Sequence, residues 1–302
     1  MIIRPKPSIL QLFFIMRGSI LPRIAPQLIG FTLYSCAVVA VVQHTGSHTA
    51  AYGVAPFTVL GVALSIYLGF RNNSAYDRWW EARKLWGQLV FEIRNLARAA
   101  VSLIPEDSVQ TRPLLMESLA FCHYLRGAVR KVDADPDARK FIGIEADGFA
   151  RTANQPDAVL RQMQQRIARL KRQGQISDID FRILDERISG MAAVQAGCER
   201  ISGTPVPFTY TLLLHRSTYW FCLLLPVGLA STAGWMTPLF TVLVAYSFFG
   251  LDSLSEELED PFGMGLNDLA LDALCRTYEI SVAEALGEPP PEPLAAVDYY
   301  YS

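Results

Sequence analysis

One apolar stripe in the sequence has a spacing that could close a water path. Val62, Ile66 and Phe70 recur at every fourth position, so on a helix they share one face. Water leaves a narrow tube lined by apolar side chains, and ions cannot cross without that water. Copies of this stripe around one axis would therefore form a gate. The alternative is that the stripe serves only packing, since such spacing occurs on most membrane-spanning helices.

A second stripe, next to the first, consists of small residues. Gly61, Ser65 and Gly69 have the same spacing of four. Small residues at this spacing let two helices approach closely in lipid. The partner helix could belong to another copy around the axis or to the same chain, and the spacing alone does not distinguish the two.

Residues for other chemistry do not cluster in this way. The tracts 24–70 and 217–251 contain no Lys, Arg, Asp or Glu, which disfavours ion-coupled transport. Paired carboxylates, a nucleophile motif and a metal-ligand His cluster are also absent from these tracts. The five cysteines are scattered and are interpreted as packing residues. We predict no catalytic residue, no metal site and no cofactor.

The two uncharged tracts indicate how the chain crosses a membrane. With 51% hydrophobic and only 19% charged residues among 302, the composition favours a membrane protein. A spanning helix needs about 20 apolar residues, so each tract has room for two. The apolar runs are 29–42 and 54–70 around the polar loop 43–48, then 219–230 and 235–251 around the break 231–234. Four spans in two hairpins are predicted.

The charged blocks then all lie on one side of the membrane. The outer loops lack Lys and Arg, so the positive-inside rule places both termini in the cytoplasm. Residues 9–20 are apolar but interrupted by Arg17, and we interpret them as an interfacial helix rather than a signal peptide.

The cytoplasmic blocks have helical periodicity. Residues 71–100 continue the second span without a proline, which predicts one long helix leaving the membrane. Residues 159–170 have an amphipathic pattern, and Ser177 with Asp178 begins a further helix. The apolar face predicted for that helix comprises Ile183, Leu184, Ile188, Met191 and Cys198.

The predicted fold class is an all-α membrane protein with four transmembrane helices and a large helical cytoplasmic region. Its segments are an interfacial N-terminal segment over 1–28, a first hairpin 29–70, a cytoplasmic region 71–208, a second hairpin 209–251 and an acidic C-terminal region 252–302.

Three smaller features complete the pattern. The tryptophans Trp79, Trp80 and Trp86 follow the second span and are interpreted as interfacial anchors. The run 256–263 is acidic and is interpreted as a solvated turn rather than a cation-binding loop. The prolines at 289–291 begin a tail that we expect to be mobile or held only by a partner.

Three short motifs, in this order, resemble the bestrophin family in its bacterial branch. They are Arg17-Gly18-Ser19-Ile20, then Leu68-Gly69-Phe70 with Arg78-Trp79-Trp80, and finally Glu256-Glu257-Leu258 with Pro261-Phe262-Gly263. The resemblance covers about residues 10–280. It implies a homopentameric ion channel with a helical cytoplasmic vestibule, located in the bacterial inner (plasma) membrane.

The resemblance also implies roles for particular residues. Bestrophins line the membrane neck with three apolar rings, and the matching positions here are Val62, Ile66 and Phe70. A second constriction at the cytoplasmic exit matches Ile179, with Ile176 and Ile183 as alternatives.

The chain departs from the animal members after the Pro-Phe-Gly element. Animal bestrophins continue with a run of acids that binds calcium, whereas this chain continues Met264-Gly265-Leu266-Asn267-Asp268. Most carboxylate ligands of that site are missing, so we predict conduction that does not require calcium.

Acidic residues give the indication of ion preference. The C-terminal block is acidic and Asp178 and Asp180 flank Ile179, which favours monovalent cations. Chloride is the alternative, because animal members conduct it. The expected partners are further copies of the chain, monovalent ions and the lipid bilayer, without nucleic acid. A membrane-anchored interaction or regulatory protein and a secondary transporter are the competing hypotheses.

Overall fold

The structure, a computed structural model, describes residues 1–2, 8–16, 18–45, 55–149 and 151–301. Arg17 of the first motif, residues 46–48 of the predicted outer loop and Val54 at the start of the second predicted span lie outside these ranges. The described residues form α-helices, two short 3₁₀ turns and isolated β-bridges, which confirms the all-α class. In chain order the helices are α1 (Ile9–Phe14), α2 (Leu21–Thr45), α3 (Ala55–Leu103), α4 (Thr111–Arg130), α5 (Asp135–Ile142), α6 (Gln155–Arg172), α7 (Asp178–Gly203), α8 (Phe208–Ala233), α9 (Thr237–Glu259) and α10 (Leu271–Ala285).

The chain divides into two compact units. The apolar unit comprises Pro5–Trp79 and Pro205–Asp260, and the charged unit comprises Met1–Arg4, Trp80–Thr204 and Pro261–Ser302. α3 contributes residues to both units, because the division falls within this helix.

The apolar unit contains the candidate membrane-spanning helices. Among the described residues, Leu21–Thr45 and Phe208–Glu259 are long and apolar enough to cross a bilayer. The second stretch contains both α8 and α9, which the turn Gly234–Met236 separates. In α3 only residues 55–70 precede the first charge, and this stretch is short for a span on its own. The first predicted span and the uncharged tract after residue 216 are therefore recovered, whereas a count of four spans stays a prediction.

Aromatic side chains fill the core of the apolar unit. The Phe31 and Phe249 rings stack with their centres 5.5 Å apart, and Tyr219 meets Phe249 edge-on at 4.8 Å. The buried cluster consists of Ile24, Phe31, Leu64, Leu68, Leu214, Phe221, Cys222, Leu225, Ala245, Phe248 and Phe249. Residues of α2, α3, α8 and α9 thus share one core.

The break inside the second apolar tract lies later than predicted. α8 continues through the expected break at 231–233 and ends where Gly234 takes a positive φ of 53°. The Thr232 hydroxyl donates to the Leu229 carbonyl oxygen at 3.1 Å and so does not compete with the helix. Gly234 combines this φ with a ψ of −133°, a conformation that only glycine adopts without strain, and for this reason the chain turns there.

The predicted interfacial helix at 9–20 is shorter in the structure. α1 ends at Phe14, and the Ile15 N–H still donates to the Gln11 carbonyl oxygen at 3.1 Å. A turn at Gly18, with φ of 83°, then precedes α2. The continuous helix predicted over 9–20 is therefore wrong beyond Phe14.

The long helix predicted beyond the second span is confirmed. α3 runs unbroken from Ala55 to Leu103 and has one buried stripe at spacings of three or four, with one spacing of seven between Ala75 and Ala82. The stripe consists of Leu64, Leu68, Arg71, Ala75, Ala82, Trp86, Leu89, Ile93, Leu96 and Ala100.

Trp86 belongs to this stripe and is not an interfacial anchor as predicted. Its ring is fully buried and stacks on Tyr278 of α10 with centres 6.2 Å apart. The Tyr278 hydroxyl donates to the Trp86 carbonyl oxygen at 2.9 Å. Trp86 is therefore a core residue of the charged unit.

The amphipathic helices of the charged unit follow the predicted pattern with one exception. The predicted apolar residues of α6 are all buried: Val159, Leu160, Met163, Ile167 and Leu170. In α7, which Ser177 caps in a capping box with Asp180, Leu184, Ile188, Met191 and Cys198 are also buried. Ile183 is the exception at 39% exposed. It lies about 100° around the helix from Leu184 and so falls outside the buried face.

The cysteines are free, as expected for packing residues. Burial raises the pKa of Cys198 and of Cys275 to about 12, so both remain neutral thiols at physiological pH.

The tail that follows the prolines is held by its own chain. The Tyr301 N–H donates to the Met1 carbonyl oxygen at 2.8 Å, and Tyr300 forms an antiparallel bridge with Ile2. The Tyr300 hydroxyl donates to the Met264 carbonyl oxygen at 3.2 Å. The prediction of a mobile or partner-held tail is wrong for these residues.

Trp86 provides a test of the charged-unit core. Replacing Trp86 by Ala should destabilise the protein by about 3–5 kcal/mol, because it removes a buried ring and leaves a cavity. Thermal unfolding in detergent should show a melting temperature lower by roughly 10 °C. The matched control is Trp80→Ala, since Trp80 is 46% exposed and its loss should cost about 1 kcal/mol or less. Equal shifts in the two variants would contradict the assigned core role.

Candidate functional site

The first turns of α3 have two opposite apolar faces. Leu64 and Leu68 are buried in the core of the apolar unit at 6% and 0% exposure. Val62, Ile66 and Phe70 are exposed at 56%, 52% and 61%. Each of these three is two positions from Leu64 or Leu68, which is about 200° around the helix. The structure thus places the three predicted neck residues on one face, and that face is uncovered in the single chain.

The small-residue stripe is divided between two environments. Gly61 lies against the Phe221 ring of α8, where an added Cβ would be 3.2 Å from the nearest ring carbon. Ser65 is exposed, and its hydroxyl donates to the Gly61 carbonyl oxygen at 2.7 Å. Gly69 has nothing within 4 Å of an added Cβ. The intramolecular alternative therefore describes Gly61, whereas Gly69 remains open to another helix.

A second glycine contact joins the same two helices. The Phe57 ring of α3 covers Gly228 of α8 so closely that a Cβ there would collide with it. With Phe221 on Gly61, each helix thus presents one aromatic ring to a glycine of the other. These contacts and the buried leucines set which face of α3 is turned away from the bundle.

Four ionisable side chains meet directly after the apolar stripe, and we call them the Arg71 cluster: Arg71, Asp252, Glu259 and His215. Arg71 follows Phe70, is 1% exposed, and pairs through Nη1 with Oδ1 of Asp252. Its Nε donates to Glu259 Oε1 at 3.1 Å. The second Asp252 oxygen lies 3.0 Å from His215 Nδ1. The cluster therefore links α3, α8 and α9 through ionisable side chains.

The sequence contains a signal for this cluster, although none of the predicted site residues belongs to it. Arg71 and Asp252 are the first charged residues after the two uncharged tracts, and their charges are opposite. Two helices that leave an apolar layer on the same side bring such residues to a similar depth. A buried charge needs a partner there, because an unpaired one costs several kcal/mol.

The acidic last turn of α9 is paired with arginines rather than only solvated. Arg23 of α2 reaches Glu256 at 2.6 Å and Glu257 at 3.6 Å. The Glu259 carboxylate belongs to the Arg71 cluster, and its backbone oxygen accepts from Arg78 Nε at 2.7 Å. Within the described ranges, no group of three or more His, Cys, Asp or Glu side chains is arranged to hold a metal ion.

The candidate exit residue lies in the first turn of α7. Ile179 is 72% exposed, whereas the alternative Ile176 is buried at 6% within its own chain. Asp178 pairs with Lys171 at 3.0 Å. Hydrogen bonds from the hydroxyl and the N–H of Ser177 hold the pKa of Asp180 below its usual value, so this carboxylate is charged at neutral pH. Among the candidate exit residues Ile176, Ile179 and Ile183, Ile179 is the most exposed.

Comparison with known proteins gives a consistent result. The model of the family described as "Bacterial/Fungal Bestrophin protein" matches residues 1–284. The chain is 61% identical to the "Voltage-dependent anion channel-forming protein mll4386" of Mesorhizobium japonicum over 302 residues, which are all of this chain and 97% of the relative. It is 42% identical to the "Voltage-dependent anion channel-forming protein YneE" of Escherichia coli K12, with 94% of this chain and 93% of the relative covered.

A solved structure shares the fold as well as the sequence. The crystal structure of a bacterial bestrophin homolog from Klebsiella pneumoniae superposes with a TM-score of 0.84 at 36% identity. The superposition covers 88% of this chain and all of that chain. The family match alone includes every segment that carried the resemblance in sequence. The chain belongs to the bacterial and fungal bestrophin family.

Proposed function

We propose that this protein is a passive ion channel, assembled from five copies, in which Val62, Ile66 and Phe70 of α3 form a hydrophobic neck. The observation that carries the proposal is the exposed apolar stripe on α3, opposite a face already buried in the chain. A single copy cannot enclose a water path with this stripe. Copies arranged around an axis can, and apolar rings at this spacing would close the path by dewetting.

The relatives support a channel over the competing hypotheses. Two similar proteins carry the name of anion channel-forming proteins, and the solved relative is a bestrophin homolog. The family and these names favour a channel rather than an enzyme. The number five comes from the family resemblance, and the open surface at Gly69 would allow a neighbouring α3 to approach closely.

The family and the apolar helices make this a membrane protein. We propose that α2, the portion of α3 up to Phe70, α8 and α9 are its four spans in the bacterial inner membrane. The Arg23 pairs and the Arg71 cluster would then lie at the cytoplasmic end of the spans, where the positive-inside rule expects basic residues. Both termini would be cytoplasmic.

A second constriction is proposed at Ile179 of each copy. Its exposure leaves the side chain available to face an axis, whereas Ile176 is buried within its own chain. The neighbouring charges Asp178 and Asp180 would surround it with carboxylates.

We propose monovalent cations as the preferred ions, with chloride as the alternative favoured by the names of the relatives. Acidic rings near a constriction attract cations, and the neck residues themselves are uncharged. Reversal potentials in asymmetric salt distinguish the two.

The neck is tested by shortening its side chains. Ile66→Ala and Phe70→Ala should each raise single-channel conductance in planar bilayers several-fold, because a wider apolar ring retains water more readily. Leu60→Ala is the matched control, since Leu60 is 53% exposed on the same helix but lies outside the stripe. Unchanged currents in both neck variants would exclude the stripe from the conduction path. Saturable flux without conductance would instead favour a transporter.

Calcium independence gives a separate prediction. Three carboxylates of the acidic segment pair with Arg23 or Arg71 and so already have cationic partners. Open probability should therefore be the same in a calcium chelator and in micromolar calcium, measured on one reconstituted channel before and after exchange. A rise in open probability with calcium would show that another group binds it.

A further inference from the structure

We propose that Asp252 and Glu259, acting on Arg71, are specificity-determining residues that set the cation preference at the cytoplasmic end of the neck. The inference rests on the channel function proposed above. It assigns ion preference to the buried Asp252 and the half-buried Glu259 of α9, in addition to the exposed acids near Ile179. The juxtaposition that carries it is a buried arginine, next in sequence to Phe70, that contacts two carboxylates.

The position of Arg71 poses an electrostatic problem for a cation path. Its guanidinium is the first charge on α3 after the neck stripe. Burial at 1% exposure keeps water and salt from screening it. If uncompensated, five such charges around an axis would attract anions and repel cations.

The structure supplies more negative charge than is needed to neutralise this arginine. Asp252 is buried and bonds through one oxygen to Arg71, and Glu259 adds a second carboxylate at 3.1 Å. Arg71, Asp252 and Glu259 together therefore carry one positive and two negative charges. The surplus is a negative charge just after the neck residues, inside the low-dielectric part of the protein, where Coulomb interactions extend further than in water.

A purely structural ion pair would not need the second carboxylate. One carboxylate can satisfy a guanidinium in a bidentate pair, and buried ion pairs are in any case weak stabilisers. The ion pairs of Arg23 with Glu256 and Glu257 provide a comparison, because these two acids lie in the same last turn of α9 as Glu259. Arg23 also meets two carboxylates, but its side chain is 50% exposed, so solvent and salt screen that group.

Glu259 and Glu256 form a matched pair for the test. Both lie in the last turn of α9, and Gln at either position removes one negative charge with almost no change in shape. Reversal potentials are measured in planar bilayers across a tenfold potassium chloride gradient. We expect Glu259→Gln to lower the cation-to-anion permeability ratio by about twofold or more, because a unit charge in a half-buried setting changes the energy of an ion within roughly 10 Å by about RT or more.

Two further variants make the charge dependence explicit. The double variant Asp252→Asn with Glu259→Gln should lower the ratio further, since Arg71 is then uncompensated. Arg71→Lys keeps the charge and should keep the ratio of the unsubstituted protein, even where it lowers stability. Glu256→Gln should leave the ratio unchanged. Because misfolding changes the number of channels and not the reversal potential, this readout separates ion preference from structural damage.

The outcomes decide between the proposals. If the unsubstituted protein conducts and neither Glu259→Gln nor the double variant shifts the reversal potential, this inference fails while the channel function stands. An equal shift in Glu256→Gln would also overturn it, because the effect would then be general surface charge. Should Glu259→Gln not assemble, Asp252→Asn alone carries the same expectation. If the unsubstituted protein does not conduct, the proposed function and this inference fail together.

Discussion

The first turns of α3 have more apolar surface than the chain can cover. Leu64 and Leu68 are buried in a core that they share with residues of α2, α8 and α9, and this fixes the rotation of the helix about its axis. With the rotation fixed, Val62, Ile66 and Phe70 must point away from the bundle. Lipid or another copy has to cover them, and the proposed function follows from the second choice.

The rotation of α3 is determined by a few specific contacts. Phe221 lies on Gly61 and Phe57 covers Gly228, so the two helices interlock through rings and glycines. Arg71 then ties the next turn of α3 to α9 through Asp252. Apolar packing thus holds the part of the helix that carries the stripe, and an ion pair holds the turn that follows it. A slip of one residue would move the stripe by about 100°.

The pairing of arginines with acids at the end of α9 has two consequences. The carboxylates of Glu256 and Glu259 are engaged by Arg23 and Arg71, which gives the acidic segment cations of its own. The same pairs differ in exposure, so they also differ in how far their charge acts. The acids at the end of α9 look alike in the sequence, but they differ in how strongly solvent screens them. We expect the charges around the buried Arg71 to influence ions more strongly than the exposed charges around Arg23.

The sequence by itself determined the features that depend on local order. Uncharged tracts identify α2, α8 and α9 as apolar helices, and a spacing of four places Val62, Ile66 and Phe70 on one face, because helical geometry follows from neighbours along the chain. The tertiary structure alone decided which face is covered, which glycine meets which ring, and that Trp86 belongs to a core and not to an interface. It also brought Arg71 to Asp252. These contacts join segments far apart in sequence, and periodicity gives the direction of a side chain but not the identity of the group it meets.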